Sequence, residues 1–305
     1  MKILFLHLSD AHLRENTNLS QINTSAIIRS LAQMGEFDEC VLIFSGDIVQ
    51  SGGENEYKVA VRLFSKIIKG INDRYFDKKH HIHVMVVPGN HDNLVSAPDR
   101  KREELKGYYI DKKIESQFYN ELSQLNNFYI FADRNRCYHR GKIIDVRTIK
   151  VGYFNIKFNL INSAPFSLLG SDNGDKGMHY LPEREIRKLD WIGKEDYTIS
   201  VLHHGPEWFS DKTKEALYEK LYVNSDLILV GHEHYSKNED KIVKNLVLYR
   251  DNASGACTCY TVDYYVTYLK KIEGTVIYAE DIFQMMAGLD GRPMHFFPDY
   301  LVWYE

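Results

Sequence analysis

Short runs of apolar residues recur along the first three-quarters of the chain, and each is cut off by a polar or glycine-bearing cluster. Residues 3–8, 40–44, 84–87, 153–161, 198–202 and 227–230 are strand-length and largely continuous, which is the pattern of strands covered on both faces. Between the first three, residues 20–34 and 57–71 carry helical periodicity. In the second of these, Val59, Val61, Leu63, Phe64, Ile67 and Ile68 line a broad apolar stripe. Strand alternating with helix predicts an α/β fold whose sheet core is largely parallel.

Farther along, the alternation breaks. Residues 106–127 form a charged, helical-looking segment and 128–147 a mixed one, so 98–147 is expected to be a cap or insertion, placed beside a site or as outer packing. Residues 182–191 and 213–222 predict short helices, the latter with Thr213 as N-cap. From 246 to 305 the chain turns aromatic and β-branched, with Tyr260, Tyr264, Tyr265, Tyr268, Phe283, Phe296, Phe297, Tyr300, Trp303 and Tyr304. This part predicts strands packed on the core, and its aromatic surplus also suits docking to a second copy or a further domain. With no repeat and no low-complexity linker, residues 1–305 read as one domain with insertions.

Composition narrows the function classes. A chain of 305 residues with 44% hydrophobic content can fill a core and is not disordered. Its 38 basic and 42 acidic residues leave a net charge of -4, which argues against the basic field of a dedicated nucleic-acid binder. Four cysteines, Cys40, Cys137, Cys257 and Cys259, form no Cys-x-x-Cys pair and argue against a disulfide framework or a thiolate zinc site. On a strand, Cys257 and Cys259 would share a face as small buried hydrophobes. The first apolar run is too short for a signal peptide, and no stretch approaches the roughly 18 apolar residues of a membrane span. A soluble, reducing, cytoplasmic setting is expected.

The chemistry lies in the clusters that end the runs: Asp10-Ala11-His12, Gly46-Asp47, Gly89-Asn90-His91-Asp92, His203-His204 and Gly231-His232-Glu233-His234. Functional groups of α/β sheets gather at the carboxyl ends of strands, so five strand ends could converge on one polar centre. Singly, each cluster has an ordinary reading as a turn, a helix cap or a polar strand end. Five in one chain, all at strand ends, supply enough oxygen and imidazole donors to hold two metal ions. A mixture of His, Asp and Asn without Cys suits Mn, Fe or Zn better than Ca or Mg. Glycines before Asp47, Asn90 and His232 remove Cβ atoms where the backbone must bend close to the ions.

In residue type and order these motifs resemble the calcineurin-like metallophosphoesterase superfamily, over residues 3–234. That resemblance implies a calcineurin-like phosphoesterase fold, with two mixed β-sheets packed as a sandwich and flanked by helices. It implies two metal ions, manganese foremost, one held by Asp10, His12, Asp47 and His234 and the other by Asp47, Asn90, His203 and His232. Asp47 would bridge them, and a hydroxide shared by the two ions would attack phosphorus. His91 would face the phosphate and Asp92 would hold His91 oriented and protonated. His204 would lie near substrate or behind the ligands, His7 in the core or behind them, and Arg14 at the surface, while His80, His81 and His83 would form a solvated lead-in to a strand.

The partner implied is a phosphate-ester small molecule or nucleotide, with no membrane. Residues 8–13 and 44–47 look like the cyclic-nucleotide phosphodiesterase branch, which makes a cyclic nucleotide the first substrate to consider. Alternatives on the same fold are a manganese-dependent nuclease similar to the double-strand-break repair members, and a non-catalytic protein-binding scaffold similar to the retromer-type members.

Overall fold

The computed structural model describes residues 3–19, 24, 27–28, 37–75, 82–94, 122–151, 154–165, 167, 174–190, 195, 197–232, 237–239, 242–244, 265–269, 274–277 and 301–304. The first apolar runs become β1 (Ile3–Leu8), β2 (Glu39–Ser45) and β3 (Ile82–Val87), paired in parallel with Leu4 opposite Cys40 and Leu42 opposite Val84. Every residue of β1 is buried, as expected of a continuous apolar run inside a layered fold.

A second sheet takes β4 (Ile144–Val151), β5 (Phe154–Ile161), β6 (Tyr197–Leu202), β7 (Leu227–Val230), β8 (Lys237–Glu239) and β9 (Ile242–Lys244) in the order β4-β5-β6-β7-β9-β8. Its interior pairs are parallel, while β4 and β8 add as antiparallel edges. The first sheet is completed by β10 (Tyr265–Leu269), β11 (Gly274–Ile277) and β12 (Leu301–Tyr304), giving β11-β12-β10-β1-β2-β3 with β10 antiparallel to β1. Both sheets are therefore mixed. They pack face to face, with the buried rings of Phe5 on β1 and Phe158 on β5 at 6.4 Å.

Helix α1 (Glu54–Tyr75) lays the predicted apolar stripe on the first sheet, where Phe64 meets Phe44 at 5.5 Å. Against it lies α2 (Asn126–Asn135), whose buried Phe131 contacts Tyr57 and Phe64, each at 5.3 Å. Helix α3 (Asp211–Asn224) packs with the short helical stretch of residues 183–190, and Asn224 Nδ2 donates to the Leu189 carbonyl at 3.0 Å. Among the described residues, no helix is long and apolar enough to cross a membrane.

Several elements differ from the sequence reading. Helix α3 begins at Asp211 with Ser210 as N-cap, because Ser210 already has the extended backbone a cap needs and Asp211 places a carboxylate in the first turn; Thr213 sits inside the helix. Strand β4 was not foreseen, although its alternation of apolar and charged residues is that of an edge strand, with Val146 exposed. The described part of 98–147 builds α2 and β4 into the main layers, and Leu94 N–H donates to the Gln124 carbonyl at 2.8 Å. His83 lies on β3 opposite Val41, with Nε2 3.5 Å from Glu39. Cys40 and Cys137 are buried free thiols. Most of the helix expected at 20–34, the segment 95–121, His80, His81, Cys257, Cys259 and the side chains of the aromatic carboxyl-terminal part lie outside the described residues.

Candidate metal centre

Parallel pairing brings the carboxyl ends of β1, β2 and β3 to one edge, and those of β6 and β7 to a second. Beyond the strands the β1–β2 ladder continues through the motifs themselves. Asp10 N–H donates to Gly46 O at 3.0 Å, His12 N–H to Asp47 O at 3.0 Å and Leu13 N–H to Ile48 O at 3.1 Å. Gly231 N–H donates to His203 O at 2.9 Å and ties the end of β7 to the end of β6. The two edges meet where the His232 N–H donates to the Asp10 carboxylate, 3.0 Å from Oδ2 and 3.2 Å from Oδ1. Backbone hydrogen bonds thus fix the clusters within each edge, and the Asp10 carboxylate joins the two edges.

Six of the seven expected ligands converge: Asp10, His12, Asp47, Asn90, His203 and His232. Asp47 Oδ2 lies between two sets of donors, 3.7 Å from His12 Nε2 and 3.3 Å from His203 Nε2. On the first side, His12 Nε2 is 3.9 Å from Asp10 Oδ1. On the second, Asn90 Oδ1 is 3.1 Å from both His203 Nε2 and His232 Nδ1, which are themselves 3.2 Å apart. The seventh, His234, lies outside the described residues.

The backbone around this cluster is strained. Asp10, His12, Asp47 and His232 have φ of 55°, 45°, 52° and 73°. Such left-handed conformations cost non-glycine residues about 1–3 kcal/mol each and persist where the surroundings dictate them. The other described non-glycine residue with positive φ is Arg136, at the end of α2. At Gly46 the requirement is both conformational and steric, since φ is 98° and a Cβ there would lie 2.4 Å from His203 Nδ1. The glycine makes room for the ligand ring.

Charges in the cluster are interlocked. Burial would raise the Asp47 carboxyl, but His203, His91 and His12 outweigh it and hold the group well below the usual range. Burial works against a charged His203 too, yet Asp47 and Asp10 bring it up to about 9. His232 is pushed down to about 3 by burial and by the neighbouring His203 charge. Two buried carboxylates facing four imidazoles, with His203 drawn towards its charged form, are electrostatically suited to divalent cations. Three overlapping groups, Asp10-Asp47-His203, His12-Asp47-His91 and His203-His204-His232, each keep their donor atoms within 4.8 Å of one another. The residues fit metal ions, and Asp47 belongs to two of the groups.

Residues behind the cluster fix its geometry. The Ser45 carbonyl accepts from His203 Nδ1 at 2.7 Å, which leaves His203 Nε2 to face Asp47 and Asn90. Ser9 Oγ donates to Asp10 Oδ2 and also to the Ser45 carbonyl, at 3.2 Å in the latter case. His7, expected in the core or behind the ligands, is fully buried with Nε2 2.7 Å from Ser45 Oγ. Arg14 is exposed.

His91 and Asp92 part company. His91 stands at the rim, its ring 4.6 Å from that of His12, and its backbone N–H donates to Asp47 Oδ1 at 2.8 Å. Its Nδ1 bonds to the Gln50 carbonyl at 2.8 Å, with the Gln50 side-chain amide 3.1 Å away. The expectation that Asp92 orients His91 is therefore corrected. The fully buried Asp92 carboxylate accepts instead from the backbone N–H groups of Ile48, Val49 and Gly89, at 3.3, 3.2 and 2.8 Å, and from the Tyr57 hydroxyl at 2.8 Å. It staples the loops after β2 and β3 to α1. Burial and the Asp47 charge raise this carboxyl to about 7, against the pull of those donors.

Sequence reasoning missed Gln50, and it missed a second layer around His204. His204 packs on His179 with ring centroids at 4.1 Å, and His179 Nε2 lies 2.9 Å from Asp175 Oδ2. Trp208 places its ring 4.1 Å from that of His232. The spacing of Asp175 and His179, four residues apart with Gly174 and Gly177 beside Asp175, was the available signal; no apolar run precedes it.

The chain matches the family model described as calcineurin-like phosphoesterase over residues 3–236. A search of curated proteins finds no match. Among solved structures, a 5'-nucleotidase precursor from Thermus thermophilus is 11% identical, with TM-score 0.43, covering 99% of this chain and 54% of that one. The sulfate thiohydrolase SoxB of the same species is 13% identical, with TM-score 0.37 and coverages of 93% and 59%. Vacuolar protein sorting 29 from Cryptosporidium parvum is 12% identical, with TM-score 0.31 and coverages of 91% and 90%. The chain spans between half and two-thirds of the length of the first two.

Proposed function

The chain belongs to the calcineurin-like phosphoesterase family, and from that membership we propose that it is a phosphoesterase dependent on two divalent cations that share Asp47. The observation that carries this reading is the position of Asp47 Oδ2 between His12 Nε2 at 3.7 Å and His203 Nε2 at 3.3 Å. Asp10, His12 and Asp47, with His234, would hold one cation; Asp47, Asn90, His203 and His232 would hold the other. When bound, a pair of cations would supply a water-derived nucleophile near neutral pH and neutralise phosphoryl oxygens.

The protein's own groups do the rest. Ser45 and Ser9 set which face of His203 and of Asp10 points inward. His91, part-buried at the rim, is the group placed to meet the phosphate, and Gln50 rather than a carboxylate fixes its ring. With Nδ1 donating to the Gln50 carbonyl, His91 Nε2 is the nitrogen that faces the phosphate, and it donates to a phosphoryl or leaving-group oxygen when the ring carries its second proton. Asp92 acts indirectly, by holding the loops that carry Asp47, Asn90 and His91.

A phosphodiester of nucleotide type, a cyclic nucleotide first, is the substrate we propose, with the chain acting as a single catalytic domain. The test is hydrolysis of bis-nitrophenyl phosphate, nitrophenyl phosphate and cyclic nucleotides with added manganese. Diester activity that disappears in both Asp47→Ala and His91→Ala supports the proposal. Unchanged turnover in both variants contradicts it, and DNA cleavage without small-diester turnover would move the assignment to a nuclease.

A further inference from the structure

His203 is the expected ligand of the pair His203-His204, yet the structure brings both rings to the centre. His204 is fully buried. Its Nδ1 lies 2.9 Å from Ser163 Oγ, and its backbone N–H donates to the same oxygen at 3.2 Å, so Ser163 ties both the ring and the backbone of His204. Nε2 remains a buried nitrogen with no hydrogen bond. The ring centroid lies 4.7 Å from His203 and 4.5 Å from His232. One ring nitrogen of each of the three is within 4.8 Å of the others. His179, itself held by Asp175, closes the far side of the ring at 4.1 Å.

A buried polar nitrogen left without a partner is costly and calls for an explanation. With Nδ1–H donating to Ser163, Nε2 presents its lone pair to the space that the ring nitrogens of His203 and His232 also face. Lone pairs of several imidazoles gathered in one buried space repel one another unless something cationic accepts them. Water could satisfy one such nitrogen, but a cation satisfies all of them at once.

We propose that His204 is a further ligand of the cation held by Asn90, His203 and His232, giving that subsite three imidazoles. This deepens the dinuclear reading and stands on it. The two subsites then differ in kind. Asp10 and Asp47 make the first rich in carboxylate oxygen, whereas the second is dominated by nitrogen, which favours zinc, iron or cobalt over manganese.

The experiment titrates metal-free protein with zinc, cobalt and manganese by calorimetry and follows cobalt by visible absorption, comparing wild type with His204→Asn and His204→Phe. The phenylalanine keeps the ring packing and removes the nitrogens, and His179→Gln is the control for effects passed through the neighbouring ring. Two equivalents of cobalt in wild type establish the dinuclear reading independently of His204. Given that, both His204 variants are expected to weaken one zinc or cobalt site by about tenfold or more, to shift the cobalt spectrum and to leave the manganese affinity of the other site nearly unchanged. A crystal structure of zinc-loaded wild type, which needs no variant to fold, should place a His204 nitrogen about 2.0–2.1 Å from zinc. An unchanged cobalt spectrum in both variants, equal effects from His179→Gln, or a His204 nitrogen beyond bonding distance in the zinc-loaded crystal would each overturn the proposal.

Discussion

Replacing Gly89 by alanine tests whether the cluster is as tightly built as its geometry says. Gly89 has φ −105° and ψ −174°, a backbone any residue can adopt, so alanine brings no conformational strain. The consequence is steric: the new Cβ would lie 2.2 Å from Asp47 Oδ1, 2.5 Å from Asp47 N and 2.8 Å from Asp47 Cγ. To reach even 3.0 Å the methyl and Oδ1 must separate by about 0.8 Å, and the carboxylate is held by the His91 N–H at 2.8 Å. Overpacking of this kind costs about 1–3 kcal/mol of stability, or a few degrees in melting temperature. The effect on function should be larger, because in the proposed centre Asp47 would serve both cations and a misplacement of about 1 Å can cost 10²-fold. Calorimetric titration of metal into Gly89→Ala should show at least one of two sites weakened by about tenfold or more, in a protein that still melts cooperatively. Wild-type affinity at both sites would refute the reasoning, since Asp47 would then be free to move or not needed.

Three other outcomes follow from the same contacts. Tyr57→Phe removes the hydroxyl that Asp92 accepts at 2.8 Å, and chemical denaturation should show a loss of about 1–3 kcal/mol with the metal stoichiometry retained. Asp92→Asn should destabilise more, because its amide would face the N–H donors of Ile48, Val49 and Gly89, and it should weaken metal binding through the loops; wild-type stability in this variant would show that the staple is dispensable. For pH, the metal-free protein should be most stable near pH 6.5. His7 and His232 are held down to about 3, and His204 well below its usual value, so the unfolded chain takes up protons that the folded one refuses and stability is lost as pH falls below about 6.5. His203, raised to about 9, contributes stability that is present below about 6.5 and lost as pH rises through 9. A bound cation replaces the His203 proton, so melting curves of metal-loaded protein should lack that alkaline decline, and metal affinity should rise with pH over the same interval.

Much of this site could be read from the chain because buried strands announce themselves. Continuous apolar runs such as those at β1 and β7 end abruptly in Asp10 and His232; parallel pairing aligns the strand ends within each sheet, and the His232–Asp10 contact joins the two edges. What escaped was set by tertiary contact. Asp92 follows His91 in sequence and invites pairing with it, but the short 3-10 turn of Asn90–Asp92 aims the two side chains apart, one to the rim and one to the loops after β2. Gln50 reaches His91 mainly through its backbone carbonyl, which side-chain chemistry does not reveal. His179 and Asp175 lie on a loop with no preceding apolar run, and β4 alternates in a stretch that was read only as mixed.

The central claim is that Asp47 bridges two cations, and electron paramagnetic resonance of the manganese-loaded protein addresses it most directly. At two equivalents of manganese per chain, the exchange-coupled signal of a carboxylate-bridged pair is expected, and it should be lost in Asp47→Ala. A spectrum showing only isolated ions at that loading would contradict the account.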